Sequence, residues 1–445
     1  MIRSEVRTFH YQNKEIQRVQ KITFDSWKSL HFYRPEYDPA SFDQLFELYE
    51  NFFMKKIRAL LGQVIMFRLP ENIDIPFGDE DEAYGKLFDD LTAVTVAFKK
   101  NIYVRNRKIC FKDSTTENFF RQLEKEGCLK VAKGGLNKVI LMPVDRKMGL
   151  MSKDREAHKV LVNSSFFVMM HMDADTVYDH IGTPVGLCVE DGKIIQPPLF
   201  HREVLTVKEN QVFIGYADLK DIGVVIDNRI YRHNDNCQIY TRPEYVKTPS
   251  GGYDLVIADN RAIALKKSGN TEVPSSGFVL KTEQNIGIQD LAVSYCGKED
   301  VTFAMQVGNS CVINGKKTER FLSEFSRFPS FGKVTYPPAS YPLNYKKDRA
   351  PRVVLGADID NRPVICWFEG AGKFGYEKGR ESCGASLQEV ADLSLKLGIH
   401  NGIHLDGGGS AQILFEGKRR LKVSDRKPED YSEVERAVPA GLSID

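Results

Sequence analysis

Close to its C-terminal end the chain reads HLDGGGSAQ over residues 404–412, a carboxylate followed by three glycines and a serine. Three successive glycines give up side-chain packing and cost conformational entropy. Such a run marks a place where backbone must approach a ligand closely or adopt a positive φ. Asp406, at the end of an apolar strand, has the chemistry of a base, a nucleophile or an anchor for a sugar hydroxyl. The successive N–H groups of Gly407, Gly408 and Gly409, with the Ser410 hydroxyl beside them, can form a concavity that attracts an anion. The bland alternative is a tight turn that only reverses the chain. Aspartate, three glycines and serine in one run after a buried strand favour a site.

The elements that deliver this run are well marked. Ser386 and Glu389 make a capping box, and Leu387, Val390, Ala391, Leu393, Ser394 and Leu397 line one face of a helix that Gly398 stops. A short strand then leads to Asp406. Upstream, residues 352–358 and 363–367 read as a hairpin, and the glycine-rich loop 368–384 is long enough to line a cleft. Its Glu369 and Glu381, with Asp358, are the carboxylates nearest in sequence for a second catalytic role.

The rest of the chain divides in texture. From residue 158 onward, alternating stretches such as 203–216 and 253–265 predict strands. Asp191-Gly192 and Asn314-Gly315 are hairpin turn signals, and Glu416-Gly417 looks similar. The earlier part reads as mixed and more helical. A helix with an apolar stripe runs over 42–61 from a Ser41/Gln44 capping box, a second starts near Asp79 and runs through Ala83, Leu87 and Leu91, and a third follows Ser114 and Thr115. Residues 102–111 and 138–144 alternate like strands, and the polar stretch 132–137 is the best boundary. The expected fold class is therefore α+β, with twisted, mostly antiparallel or mixed sheets and a few flanking helices. A more helical region of unassigned role, 1–137, precedes the site-bearing region 138–445.

Composition bounds the function. The 445 residues, 42% hydrophobic, support a sizeable core. With 62 Lys and Arg against 60 Asp and Glu, the formal charge of +2 gives no field for nucleic acid or a membrane surface. The eight cysteines are dispersed without a CxxC pair, against a zinc knuckle or a disulfide framework. The charged N-terminus lacks a signal-peptide core and no segment is long enough to span a bilayer, so a cytoplasmic location is expected. His400 and His404 share a strand face without helical ligand spacing or a matching cluster, so no metal site is assigned. No organic cofactor is expected, and nothing in the sequence supports a divalent ion.

The landmarks from Arg352 through Gly356, Cys383-Gly384, Ser386, Glu389, Ala391, Gly398 and LDGGGSA at 405–411 resemble the phosphodiester glycosidase family. NSSFF at 163–167, PVGLCVEDGK at 184–193, residues 274–280, the 308–315 region and Glu435-Arg436 with Val438 and Leu442 are similar to further landmarks in the same order, so the resemblance covers about 159–445. It implies a hydrolase that cleaves the bond between an anomeric carbon and a phosphate oxygen, releasing a sugar and a phosphomonoester. Its partner would be a sugar-phosphodiester substrate. Carried over residue by residue, Asp406 is the catalytic residue. Gly407, Gly408, Gly409 and Ser410 shape the pocket, while Arg352 and Arg436 hold the phosphate, since a guanidinium grips two oxygens at once. Asn163 and His404 complete the substrate-binding set; Asn163 also suits the commoner use of capping its own turn.

The sequence departs from the family at two points. His404 stands where asparagine is common, and Ser164 and Ser165 stand where glycine or alanine is more usual. Two other readings compete. DGGGSAQ also looks like a phosphate loop of actin-like ATPases, which need a second related loop that this chain lacks. A non-catalytic carbohydrate or sugar-phosphate binding protein on the same fold is the other, against which the retained Asp406 and glycines speak.

Overall fold

A computed structural model describes the chain apart from residues 79, 82–83, 146–147, 199–201, 235, 243, 287–291, 321–347, 371–375 and 428. Its central sheet has seven strands in the order Ile2–His10, Ile16–Phe24, Pro363–Phe368, Arg352–Ala357, Asn401–His404, Ser310–Ile313 and Lys316–Lys317. Every neighbouring pair is antiparallel. The hairpin expected at 352–367 forms with Arg352 opposite Phe368 and Ala357 opposite Pro363. On its other edge the strand Arg352–Ala357 pairs with Asn401–His404, placing Val354 opposite His404. The strand that leads to Asp406 is thus interior to the sheet, paired on both sides.

Two further sheets close over this one. A four-stranded sheet runs Leu30–Tyr33, Gly441–Ile444, Val160–Asn163, Ile413–Phe415, and a five-stranded sheet runs Lys193–Gln196, Cys188–Glu190, Phe303–Met305, Arg202–Lys208, Gln211–Ala217. Trp27, Phe166, Leu205, Met305, Trp367 and Leu405 meet in the core that the three sheets share. Each such buried side chain contributes about 1.5–3 kcal/mol of apolar transfer, and together they hold the loop ends that carry the site. Elsewhere, Val139–Pro143 runs parallel to Gln63–Phe67, so the architecture is mostly antiparallel with one mixed sheet.

The expectation of a helical N-terminal region needs correction. Ile2–His10 and Ile16–Phe24 are nine-residue strands that extend the central sheet, and Leu30–Tyr33 pairs with Gly441–Ile444. In Ile16–Phe24, Val19, Ile22 and Phe24 are buried, and Gln17 and Gln20 are buried with them because the strand is covered on both faces. A strand of that kind shows little alternation, so its pattern did not announce it.

Helix starts also differ. The first helix, Pro39–Tyr49, is capped by Asp38, whose side chain accepts from the Ala40 amide, with Pro39 in the first turn. Gln44 is free of capping duty and instead donates to the Glu435 carbonyl and accepts from the Ala437 amide at 3.1 Å. The helix expected from Asp79 begins at Asp90, capped by Asp89, and runs to Asn101; Leu87 ends a short strand, while Asp79 and Ala83 lie outside the described residues. The third, Ser114–Lys125, is capped by Asp113, one residue earlier than expected. The paired positive φ of a type I′ turn occurs at Asp191-Gly192, Asn314-Gly315 and Glu416-Gly417. It also occurs at Glu209-Asn210 and Asp259-Asn260, which split the two long alternating stretches into hairpins.

The helix Leu387–Lys396 forms with both halves of its capping box, the Ser386 hydroxyl accepting from the Glu389 amide at 3.3 Å and Glu389 accepting from the Ser386 amide at 2.9 Å. Ser386→Ala should lower stability by about 1 kcal/mol, read as a lower urea midpoint with an unchanged slope.

Candidate functional site at the Asp406 loop

Asp406 leaves the central sheet one residue past Leu405, whose amide donates to the Val353 carbonyl at 2.8 Å. Continuing that register places Arg352 opposite Asp406. The loop is then tied down by one side chain. Asn163, at the end of Val160–Asn163, donates from Nδ2 to the Asp406 carbonyl at 2.8 Å and accepts at Oδ1 from the Gln412 amide at 3.0 Å. Its carboxamide therefore bridges the two ends of the 406–412 loop. Asn163 therefore does not cap its own turn: its side chain holds the backbone of a loop distant in sequence.

The three glycines have separate physical reasons. Gly408 has φ +61. A Cβ on Gly409 would lie 2.2 Å from Nη2 of Arg436, and one on Gly407 would lie 2.8 Å from the Pro351 carbonyl and 3.4 Å from Cδ of Arg352. The loop thus passes close to both arginines expected from the sequence. Two of its N–H groups are already engaged: Gly407 donates to Oδ1 of Asp406 at 2.9 Å and Gly408 to the Pro351 carbonyl at 2.9 Å. The concavity expected from consecutive glycine amides is accordingly smaller than the sequence implied.

The two arginines differ in what they do. Arg436 forms a fork with Asp425, Nε to Oδ2 at 2.8 Å and Nη2 to Oδ1 at 3.1 Å, and this pair backs Gly409. Arg352 is buried beside Gly407, donating from Nε to the Ala385 carbonyl and from Nη2 to the Asp348 carbonyl, each at 3.3 Å. His404 is fully enclosed. Its ring meets the edge of Phe166 at 6.1 Å and 72°, and Gly308 is a glycine because a Cβ there would fall 2.1 Å from the imidazole. Burial, then the Arg202 and Arg352 guanidiniums, push its pKa down to about 3, against the opposing pull of the Leu405 carbonyl and Asp406. The ring is a buried, uncharged wall.

Among the described residues, two buried hydroxyls near the loop, Ser164 Oγ and Ser410 Oγ, have no hydrogen-bond partner. The three carboxylates nearest in sequence are occupied elsewhere. Glu369 accepts from the Lys422 amide and the Ser382 hydroxyl and pairs with Arg18 at 3.1 Å. Asp358 pairs with Arg362 in its turn, and Glu381 accepts from the Glu377 amide at 3.2 Å and from Lys422 at 3.4 Å. Residues 371–375 of the loop read as a cleft liner lie outside the described residues. Sequence reasoning missed Arg202, Asp425 and the Ser164 hydroxyl. Arg202 opens an otherwise ordinary alternating strand, and no local pattern tells a buried arginine there from an exposed one. Among the described residues no group of three His, Cys, Asp or Glu side chains is arranged to hold a metal ion, and no helix is long and apolar enough to cross a membrane.

Residues 232–444, which include the whole Asp406 loop, match the profile of the phosphodiester glycosidase family. This stretch belongs to that family. Asn163, Phe166 and Arg202 precede the matched phosphodiester glycosidase stretch but are packed around it. No curated protein matches the chain. Three solved structures are similar over 100% of the chain: a hypothetical protein from Synechocystis (12% identity, TM-score 0.40), the zebrafish N-acetylglucosamine-1-phosphodiester alpha-N-acetylglucosaminidase catalytic domain auto-inhibited by its pro-peptide (11%, 0.38), and a putative exported protein from Burkholderia pseudomallei (13%, 0.41). The chain spans 62%, 82% and 96% of their respective lengths. These likenesses are too distant to carry the argument.

The His404 wall makes a pH prediction. Its proton is bound in the unfolded chain below about 6.5 and in the folded protein only below about 3, so stability present above pH 6.5 is lost as pH falls toward 3. Between pH 6.5 and pH 5 the loss from this group is roughly 2 kcal/mol. His404→Asn should show a correspondingly smaller drop when urea midpoints at pH 7 and pH 5 are compared. Asn163→Ala, which orphans the buried Asp406 carbonyl and Gln412 amide, should cost about 1–3 kcal/mol in the same assay at pH 7.

Proposed function

We propose that the Asp406 site hydrolyses a glycosyl phosphodiester at its anomeric carbon–oxygen bond. The observation that carries this is a buried carboxylate, held on a glycine loop by Asn163 with the buried Arg352 against the next residue, Gly407, within a stretch of that family. Asp406 acts at the sugar carbon or on the attacking water. The anomeric C–O bond breaks with its electron pair leaving on the phosphate oxygen, and the water oxygen bonds to the carbon as its proton passes to the Asp406 carboxylate or, where Asp406 acts at the carbon, to bulk water. A phosphomonoester has a second pKa of about 6, so it leaves as a stable anion with little need of an acid. Anion binding and stabilisation of the oxocarbenium-like carbon do most of the catalysis.

In this reading Arg352 holds the phosphate, and the buried hydroxyls of Ser164 and Ser410 are available to sugar or phosphate oxygens, which accounts for their lack of a partner in the protein. Arg436 supports the reaction from behind: its fork with Asp425 fixes Gly409. His404, uncharged, shapes the wall and does not transfer a proton. Residues 138–445 form the catalytic region and residues 1–137 an accessory region whose first strands extend its sheet.

The test is release of free sugar and phosphomonoester from a panel of sugar-1-phosphate methyl esters and nucleotide sugars. The intact protein should turn over at least one, and Asp406→Asn, which keeps shape and removes charge, should lower kcat by about 10³-fold or more. No turnover on any substrate, with equal ligand binding by both proteins, would leave a sugar-phosphate binding module as the better account.

A further inference from the structure

The wall around His404 contains a second buried guanidinium. Arg202 begins the strand Arg202–Lys208, is 4% exposed, and its Cζ lies 5.5 Å from the centre of the Phe166 ring, which also makes a T-shaped contact with the His404 imidazole. The Arg202 carbonyl accepts from Nε2 of Gln306 at 3.2 Å. Gln306 lies two residues before Gly308, which seats the imidazole. Arg202, Phe166, His404 and Gly308 are thereby stacked in one fixed group. Arg352 packs against Gly407, and both guanidiniums help to hold the imidazole two residues before Asp406 uncharged.

Charge counting gives the arrangement a purpose. A phosphodiester enters with one negative charge, and its phosphomonoester product carries close to two above its second pKa of about 6. One arginine matches the charge of the substrate. A second matches the charge that develops as the C–O bond breaks, and only an interaction that strengthens toward the transition state raises kcat. A neutral imidazole adds no third positive charge to the two guanidiniums that act on it.

Resting on the phosphodiester reading, we propose that Arg202 is the second phosphate-binding cation of the site, directed at the charge that appears on the leaving phosphomonoester. Arg202 is a catalytic residue in this account, and Arg352 holds the ground-state phosphodiester.

The experiment compares the full-length protein with Arg202→Gln and Arg202→Lys on two substrates of the same sugar, a glycosyl phosphodiester and its 4-nitrophenyl glycoside, whose leaving group has no phosphate for a guanidinium to grip. Arg202→Gln should lower kcat on the phosphodiester about 10²- to 10³-fold with a KM change of about threefold or less, and should affect the nitrophenyl glycoside at least tenfold less; Arg202→Lys should recover part of the loss. Thermal unfolding of both variants checks that the fold stands, and Arg202→Lys keeps the buried charge if Arg202→Gln does not fold. Equal losses on the two substrates, or a loss confined to KM, would overturn the assignment. If the intact protein turns over neither substrate, the phosphodiesterase reading itself has failed, and calorimetric titration with inorganic phosphate decides on Arg202 alone. Weaker phosphate binding by Arg202→Gln and Arg202→Lys then supports it, and unchanged binding rejects it.

Discussion

The carboxamide of Asn163 is the constraint on which the site depends. A loop of three glycines has too many accessible conformations to hold a carboxylate in place by itself. One side chain with a donor and an acceptor removes that freedom, because it satisfies the carbonyl of Asp406 and the amide of Gln412 together. The rest of the arrangement takes its position from this bridge. Leu405 is pinned by the sheet on one side, Gln412 passes into Ile413–Phe415 on the other, and Gly407 and Gly409 are pressed against the Arg352 and Arg436 side chains.

The polar groups around the loop fall into two sets by what they contact. Arg436 with Asp425, and Glu369 with Arg18, Ser382 and Lys422, are closed networks in which charge is met by charge inside the protein. They set geometry. Arg352, Arg202 and His404 form the other set, two buried guanidiniums and a ring that they help to hold neutral. In the proposed reaction this set receives the phosphate, since desolvated guanidiniums interact with phosphate far more strongly than exposed ones.

What was legible in the sequence was local. The capped helix Leu387–Lys396, the hairpin at 352–367, the glycine-marked turns and the Asp406 loop all carry their instructions within a few residues, and all formed where expected. Other features depended on distant partners. Ser41 and Gln44 match a capping box, yet Asp38 and Pro39 begin the helix and Gln44 bonds to the 435–437 segment. The strand Ile16–Phe24 is covered on both faces, which erases its alternation. Arg202 and Asp425 are ordinary in sequence and become informative only when the fold sets them beside Phe166 and Arg436.

The bridge made by Asn163 joins residues more than 240 positions apart. Its strand is itself flanked by Ile413–Phe415 and Gly441–Ile444, and the sheet carrying Asp406 recruits strands from both ends of the sequence. Loop-closure entropy is therefore met before the contacts that reward it, the regime of slow, high contact-order folding. During synthesis the glycine loop has no completed seat until Arg436 and the strand Gly441–Ile444 have emerged. The site is consequently among the last parts of the molecule to acquire its shape, and a partly made chain leaves Asn163 and the apolar strand around it uncovered.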